Sequence, residues 1–167
     1  MSIAPRVEAH LSKAGIYYDL VEHSESSSSL GSVQSANIPG SQMAKAVVTH
    51  DGNAYRLCVI PANHKLMIPW LNDHMHGKFR LVPESELKQI FDDCEFGAVP
   101  ALGQVYGLPV IFDQSLMQVQ DIYFESGDHK NLVHVDHGAF MELMGLQESD
   151  VISYPSDGSE SNSYLTH

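Results

Sequence analysis

Hydrophobic and polar positions alternate in short runs along this chain, and the period of the alternation changes from one run to the next. In residues 5–14 the apolar positions Val7, Leu11 and Ala14 recur at helical spacing, and the run ends at a glycine. Residues 16–21 then have the composition of a strand. The pattern predicts a helix that leads into a first strand.

Two β-rich runs follow, over residues 45–50 and 54–61, with Asp51-Gly52-Asn53 between them. These three residue types tolerate the positive φ angles of a tight turn. We therefore expect a β-hairpin in which Lys45 stands at the start of the first strand.

The rest of the chain mixes strand and helix patterns without a strict βαβ order, which predicts a mixed sheet with helices packed around it. Helices are predicted over 66–74, 84–91 and 137–144, and strands over 78–82, 109–113, 119–125 and 131–135. The last helix ends at Gly145.

Two segments have little hydrophobic content. Residues 24–35 are rich in serine and predict a surface loop, with a short helix near residues 32–37. After Gln147 the chain is rich in Ser, Asp, Gly and Asn. We therefore expect one folded domain over residues 1–146 and a flexible C-terminal tail over 147–167.

The size of the chain supports a single core. It has 167 residues, of which 43% are hydrophobic, enough for one domain. No apolar run approaches the roughly 18–20 residues that span a bilayer, and the first residues lack a signal-peptide pattern. We expect a cytoplasmic protein without a membrane partner. Cys58 and Cys94 have no disulfide or zinc-site spacing, so we interpret both as small hydrophobic residues.

The net charge of −12 is unfavourable for binding nucleic acid through its phosphates. The charges are unevenly distributed along the chain, which makes binding less unfavourable: residues 45–88 contain six of the nine cations and only four carboxylates. From residue 89 onward there are thirteen carboxylates and a single cation, Lys130. A mildly basic face is therefore compatible with the sequence, whereas tight non-specific binding is not expected.

Three short segments could carry chemistry. The segment from Gly97 to Gly103 contains a proline and small apolar residues, so it could present backbone groups to a ligand or be an ordinary tight loop. Gly127-Asp128-His129 lies between two predicted strands and could bind or transfer a proton, or be a plain hairpin turn. Lys45 could meet a phosphate or a carbonyl oxygen at a strand edge, or simply be solvated.

The ten histidines raise the question of a metal site. The pairs in residues 73–76 and 134–137 reproduce no known ligand motif, so no metal is expected. A Ser-His-Asp hydrolase is also disfavoured, because the Gly-x-Ser-x-Gly motif is absent from the sequence.

Taken in order, several segments resemble one known family. They are Gln-Met-Ala-Lys-Ala-Val-Val at 42–48, Val-Ile-Pro-Ala-Asn-His at 59–64, Cys-Glu-Phe-Gly-Ala-Val-Pro-Ala-Leu-Gly at 94–103, Tyr-Gly-Leu-Pro at 106–109 and Tyr-Phe-Glu-Ser-Gly-Asp-His at 123–129. This order resembles the YbaK and prolyl-tRNA-synthetase-associated editing domains, from about Pro5 to Leu146. Several motifs in fixed order are more specific than any one of them.

The resemblance implies an α+β fold with a single domain, in which a mixed, mostly antiparallel and barrel-like sheet is surrounded by helices. It also implies hydrolysis of the ester of a mischarged aminoacyl-tRNA, with no metal, no cofactor and no covalent intermediate. The expected partner is the 3′ end of an aminoacyl-tRNA, and an aminoacyl-tRNA synthetase is a further candidate.

By resemblance, Lys45, Gly97 and Pro100 are the catalytic positions. The substrate-binding positions are Ala98, Val99, Ala101, Gly103, Gly127, Asp128 and His129. Two alternatives stay open: a non-catalytic binding or regulatory module of the same fold, and a hydrolase of another small aminoacyl ester, which the acidic composition would suit better.

Overall fold

Short strands and four short helices make up the described part of the computed structural model, which comprises residues 3–23 and 37–156. The helices are α1 (Pro5–Lys13), α2 (Ile68–Met75), α3 (Glu84–Ile90) and α4 (His137–Met144). The strands are β1 (Asp19–Glu22), β2 (Ala44–His50), β3 (Tyr55–Pro61), β4 (His64–Leu66), β5 (Arg80–Leu81), β6 (Val110–Asp113), β7 (Asp121–Glu125), β8 (Asn131–Asp136), β9 (Glu148–Asp150) and β10 (Ser153–Pro155).

The predicted hairpin of β2 and β3 is confirmed and forms the middle of the largest sheet. Its turn is fixed by Asp51, whose Oδ1 accepts hydrogen bonds from the backbone N–H groups of Asn53 and Ala54, each at 2.9 Å. Gly52 supplies a φ of +99°. Because the turn chemistry is local, the hairpin could be predicted from residue types alone.

The strand pairing is mixed and mostly antiparallel, as expected. The five-stranded sheet has the order β5-β2-β3-β6-β9, and its pairs β3 with β6 and β6 with β9 are parallel. A second sheet has the order β1-β8-β7, and β10 pairs with β4. The barrel-like closure is a correction to the prediction: within the described residues the strands form three separate open sheets, with β5 and β9 at the edges of the largest.

The main core lies between the five-stranded sheet, the β1-β8-β7 sheet and the helices α1 and α4. Alternating residues of β2, β3, β6, β7 and β8 point into it, and Phe112 of β6 meets Phe140 of α4 edge to face. The opposite face of β2, β3 and β6 carries a second cluster, which Leu71 of α2 covers. Cys58 and Cys94 are buried and free, as their interpretation as small hydrophobic residues requires.

The fold extends further toward the C-terminus than the sequence predicts. Residues 148–150 pair with β6, and residues 153–155 pair with β4. The expected flexible tail after residue 146 is therefore wrong for this part of the chain, because backbone hydrogen bonds build these strands without a hydrophobic pattern. The predicted serine-rich loop and the rest of the tail lie outside the described residues.

A charged cluster ties β1 to the second sheet. His134 of β8 lies with Nδ1 2.7 Å from Asp19 Oδ1 and Nε2 2.9 Å from Asp121 Oδ1, and its ring stacks on Tyr123. Burial lowers the pKa of His134, but the two carboxylates outweigh burial and the net shift is upward. The imidazolium therefore links β1 to β7.

This cluster predicts a pH dependence of stability. A raised pKa in the folded state gives a contribution that is fully present below the unfolded pKa of about 6.5 and is lost as the pH rises through the folded value. We expect the urea midpoint of the wild type to fall between pH 6 and pH 9 by more than that of His134→Gln. Equal pH dependence in urea unfolding of the two proteins would contradict this assignment.

Candidate functional site

Lys45 enters the structure as the second residue of β2, where its side chain is half-buried. Its ammonium donates a hydrogen bond to the backbone carbonyl of His64 at 3.1 Å. Burial, followed by the nearby Lys65 ammonium, lowers the pKa of Lys45 below its usual range. A cation that is poorly solvated in this way interacts more strongly with a developing negative charge than a fully hydrated one.

The surroundings of Lys45 include the second sheet. Met43 forms a parallel bridge with Tyr123 and packs with Ala62 and Leu132. Two residues further along the same extended segment, Lys45 points to the same side as Met43. Glu125, two residues beyond Tyr123 on β7, is buried as well.

The turn between β7 and β8 is organised by Asp128. Its Oδ1 accepts hydrogen bonds from Ser126 Oγ at 2.8 Å and from the backbone N–H groups of Lys130 and Asn131 at 2.9 Å each. Its Oδ2 accepts from Asn131 Nδ2 at 2.7 Å. Burial alone would raise the pKa of Asp128, but these hydrogen bonds outweigh it and hold the pKa below its usual range. The carboxylate thus shapes the turn that presents His129.

Removing this charge should destabilise the turn. Asp128→Asn places an amide N–H₂ where the carboxylate now accepts, and we expect a loss of about 1–3 kcal/mol in the free energy of unfolding at pH 7. The pKa of Asp128 is lowered in the folded state. The difference in the free energy of unfolding between the wild type and Asp128→Asn should therefore shrink as the pH falls from about 3.9 toward the folded-state pKa. Urea denaturation at pH 7 and at pH 3 measures both effects.

Asp136→Asn is the matched control. Asp136 caps α4 by accepting from the backbone N–H of Ala139 at 2.8 Å, and asparagine caps a helix about as well as aspartate. An Asp128→Asn variant as stable as Asp136→Asn would show that the Asp128 carboxylate does not hold the turn.

The loop at residues 97–100 lies directly beside this turn. Glu95 donates its backbone N–H to the carbonyl of Gly127 at 2.7 Å, and Ala98 donates to the carbonyl of Glu95 at 3.1 Å. Gly97 has a φ of +77°. Ala98 and Pro100 are buried, so the loop is a fixed element of the fold.

The other small residues of this segment pack inward. Ala101 belongs to the main core, and Val99 packs against it. Gly103 allows a close approach, because a Cβ there would lie 2.8 Å from Val110 Cγ2 and 3.0 Å from Leu57 Cβ. These contacts give Gly103 a packing role in the structure.

The structure therefore brings two of the three predicted segments together, the 97–100 loop and the 126–129 turn. In the turn, His129 is buried and has a φ of +65°, a left-handed value that is uncommon outside glycine. Lys45 has its own contacts next to β4. The ammonium of Lys45 donates its hydrogen bond to His64 of β4 and not to that loop or turn.

Three polar residues that were not predicted as site residues extend the surroundings of Lys45. His64 Nδ1 lies 2.8 Å from Ser153 Oγ, and Ser153 Oγ donates to Asp113 Oδ2 at 2.6 Å. Asp113 and Ser153 are 40 residues apart and are both buried. No local pattern in the sequence could indicate this contact.

A comparison with protein families gives the decisive observation. The model of the aminoacyl-tRNA editing domain matches residues 23–143 of this chain, which include Lys45 and both loops. The chain belongs to the family of aminoacyl-tRNA editing domains. The resemblance seen in the sequence is thereby confirmed. No curated protein matches the chain closely enough to count as a relative.

Solved structures agree with an editing-domain fold. A hypothetical protein matches with a TM-score of 0.78 and 17% identity, over 89% of this chain and 99% of its own. A proposed trans-editing enzyme for prolyl-tRNA synthetase matches with a TM-score of 0.75 and 20% identity, over 89% of this chain and 96% of its own. A scaffold from computational epitope grafting has a TM-score of 0.77 and 17% identity, over 90% and 97%. At these identities the likeness concerns the fold.

Two further observations concern the described part of this editing domain. Its helices are too short or too polar to cross a membrane. Its His, Cys, Asp and Glu side chains form no group of three or more that could hold a metal ion.

Proposed function

We propose that this editing domain is a trans-editing deacylase, which hydrolyses the ester between a wrongly attached small amino acid and the 3′ end of a tRNA. The observation that carries the proposal is the family match over residues 23–143, in which Lys45 occupies a half-buried position with a lowered pKa. An enzyme with this substrate would act in the cytoplasm.

The chemistry requires little from the protein, because an aminoacyl ester is already activated. The enzyme has to bind the terminal adenosine, place a water molecule and stabilise the oxyanion that forms when water attacks. In this proposal the Lys45 ammonium supplies the positive charge. The reaction needs no metal, no cofactor and no covalent intermediate.

The two adjoining loops would shape the pocket for the aminoacyl group. Gly97 and Pro100 place the backbone of one loop, and the turn at residues 127–129 supports it through the bond from Glu95 to Gly127. On this proposal the small size of Ala98, Val99, Ala101 and Gly103 lets the loop pack closely on the core, so that it forms one wall of a compact pocket. Size exclusion would then set the specificity, since one methylene in a pocket is worth about 1–3 kcal/mol.

The net charge of −12 makes the salt dependence of the reaction informative. We expect KM for a charged tRNA to rise between 50 and 200 mM salt, because phosphate contacts release counterions. The KM for the same amino acid on free adenosine should change little over this range. The two substrates differ in the polynucleotide, so the comparison isolates its contribution.

The alternatives give different results in this assay. Hydrolysis of the adenosine ester alone would indicate a hydrolase of small aminoacyl esters. Binding of charged tRNA without hydrolysis would indicate a non-catalytic module. An aminoacyl-tRNA synthetase remains part of the proposal as a partner, and its addition should lower KM for the tRNA substrate.

A further inference from the structure

A buried carboxylate organises the strand that lies next to β4. Asp113 Oδ2 accepts hydrogen bonds from Ile152 N at 3.0 Å, Ser153 N at 2.9 Å and Ser153 Oγ at 2.6 Å. Its Oδ1 accepts from Ser115 N at 2.9 Å. Each of these contacts uses Asp113 as an acceptor, which fixes the position of Ser153 at the start of β10.

The geometry assigns the proton on the His64 ring. Ser153 has one hydroxyl hydrogen, and the 2.6 Å contact with Asp113 takes it. Ser153 Oγ can then only accept at its 2.8 Å contact with His64 Nδ1, so Nδ1 carries a hydrogen. In a neutral imidazole with a hydrogen on Nδ1, the other nitrogen, Nε2, has a free lone pair and accepts protons.

The charged groups around His64 favour the neutral ring. The His64 ring is half-buried, and Lys45 donates to the backbone carbonyl of the same residue. Burial lowers the pKa of His64, Asp113 raises it and Lys45 lowers it, with a net downward shift. Lys65 follows on the same strand and is exposed. The surroundings therefore combine a neutral imidazole with a neighbouring cation.

We propose that His64, oriented by Ser153 and Asp113, is the proton acceptor in the hydrolysis of the ester. The proposal rests on the proposed function. Ser153 and Asp113 are positioning residues that act through His64. Ser153 lies beyond the matched residues 23–143, so the family match does not assign it this role.

The step balances with residues of this chain and water. The water oxygen forms a bond to the ester carbonyl carbon, and its proton passes to His64 Nε2. Lys45 stabilises the oxyanion of the tetrahedral intermediate. The bond from that carbon to the ribose oxygen then breaks, and the proton moves from Nε2 to the leaving oxygen. His64 returns to its starting state, and the products are the amino acid and the tRNA.

The protonation state of His64 can be tested without any substrate. Nitrogen NMR of the imidazole in the full-length protein at pH 8 should show the form with hydrogen on Nδ1. Ser153→Ala should shift the ring toward the other form, whereas Ser156→Ala, which removes a nearby exposed hydroxyl bonded to the carbonyl of Asn63, should not. Hydrogen on Nε2 in the wild type would overturn the assignment.

The role in catalysis is tested by kinetics on charged tRNA. His64→Gln should lower kcat by about 10²–10⁴-fold with little change in KM, and abolish the fall in kcat/KM toward acid pH that protonation of His64 causes in the wild type. Ser153→Ala should lower kcat less, and Ser153→Thr, which keeps the hydroxyl, should restore it. His74→Gln, on the exposed face of α2, is the control and should leave the kinetics unchanged.

The outcomes separate this proposal from the proposed function. A His64→Gln variant with the kcat and pH profile of the wild type, beside an inactive Lys45→Met, would overturn the role of His64 and leave the deacylase intact. A wild type that hydrolyses no charged tRNA would overturn both.

Discussion

Lys45→Met is expected to lower kcat for deacylation by about 10²–10³-fold, the usual cost of removing one group that stabilises an oxyanion. Methionine keeps most of the aliphatic side chain and removes the charge. It also removes the cost of burying an ammonium, so the folded protein should be at least as stable as the wild type. Single-turnover hydrolysis together with urea unfolding tests both statements.

The matched control for this variant is Lys13→Met, on the exposed last turn of α1. It removes the same charge from the protein and should leave kcat unchanged. A similar loss of activity in both variants would mean that Lys45 acts through the overall charge of the protein and not at the reacting ester.

Gly127→Ala is expected to lower the free energy of unfolding by about 2–4 kcal/mol, since two costs combine at one position. The φ of Gly127 is +105°, where a side chain is strained. An added Cβ would also lie 2.8 Å from Ala4 Cβ and 3.3 Å from Cys94 Sγ. Urea denaturation measures the loss.

Gly107→Ala separates the two costs of Gly127→Ala. Gly107 has a φ of +75°, and an added Cβ there meets nothing within 4 Å. We expect this control to cost about 1–2 kcal/mol, from the backbone alone. Equal losses in the two variants would show that the turn adapts to the contact with Ala4 and that Gly127 is not needed for packing.

The sequence predicted the helices and the hairpin that form through interactions between residues close together in the chain. The apolar spacing of Val7 and Leu11 gave α1, Asp51 and Gly52 gave the hairpin, and the helix ending at residue 144 was found with its bounds. In contrast, β1 begins at Asp19, three residues later than expected, because strand ends depend on the partner strand.

Elements that depend on distant partners could not be predicted in this way. β9 and β10 contain serines, acidic residues and a proline, and they exist through pairing with β6 and β4. The parallel pairs of β6 join segments that are far apart in sequence. An alternation of hydrophobic and polar residues reveals a strand that has one buried face. These short edge strands bury few side chains, so their sequences show no such alternation.

In the candidate site, too, some residues could be predicted from the sequence and others depend on contacts between distant segments. Lys45 and the two loops were predicted because motifs in fixed order resemble a family, whereas residue types alone left each of them ambiguous. Asp113, Ser153 and His64 come from three strands that pack together only in the folded chain. Their hydrogen bonds become visible only when distances are known.

The most direct test of the deacylase proposal is the release of amino acid from five tRNAs, charged with alanine, serine, threonine, cysteine or proline. The wild type and Lys45→Met are compared at equal concentrations of folded protein. We expect that the wild type hydrolyses one of these esters selectively and that Lys45→Met does not. Hydrolysis of none of them by the folded wild type, or equal hydrolysis by both proteins, would contradict it.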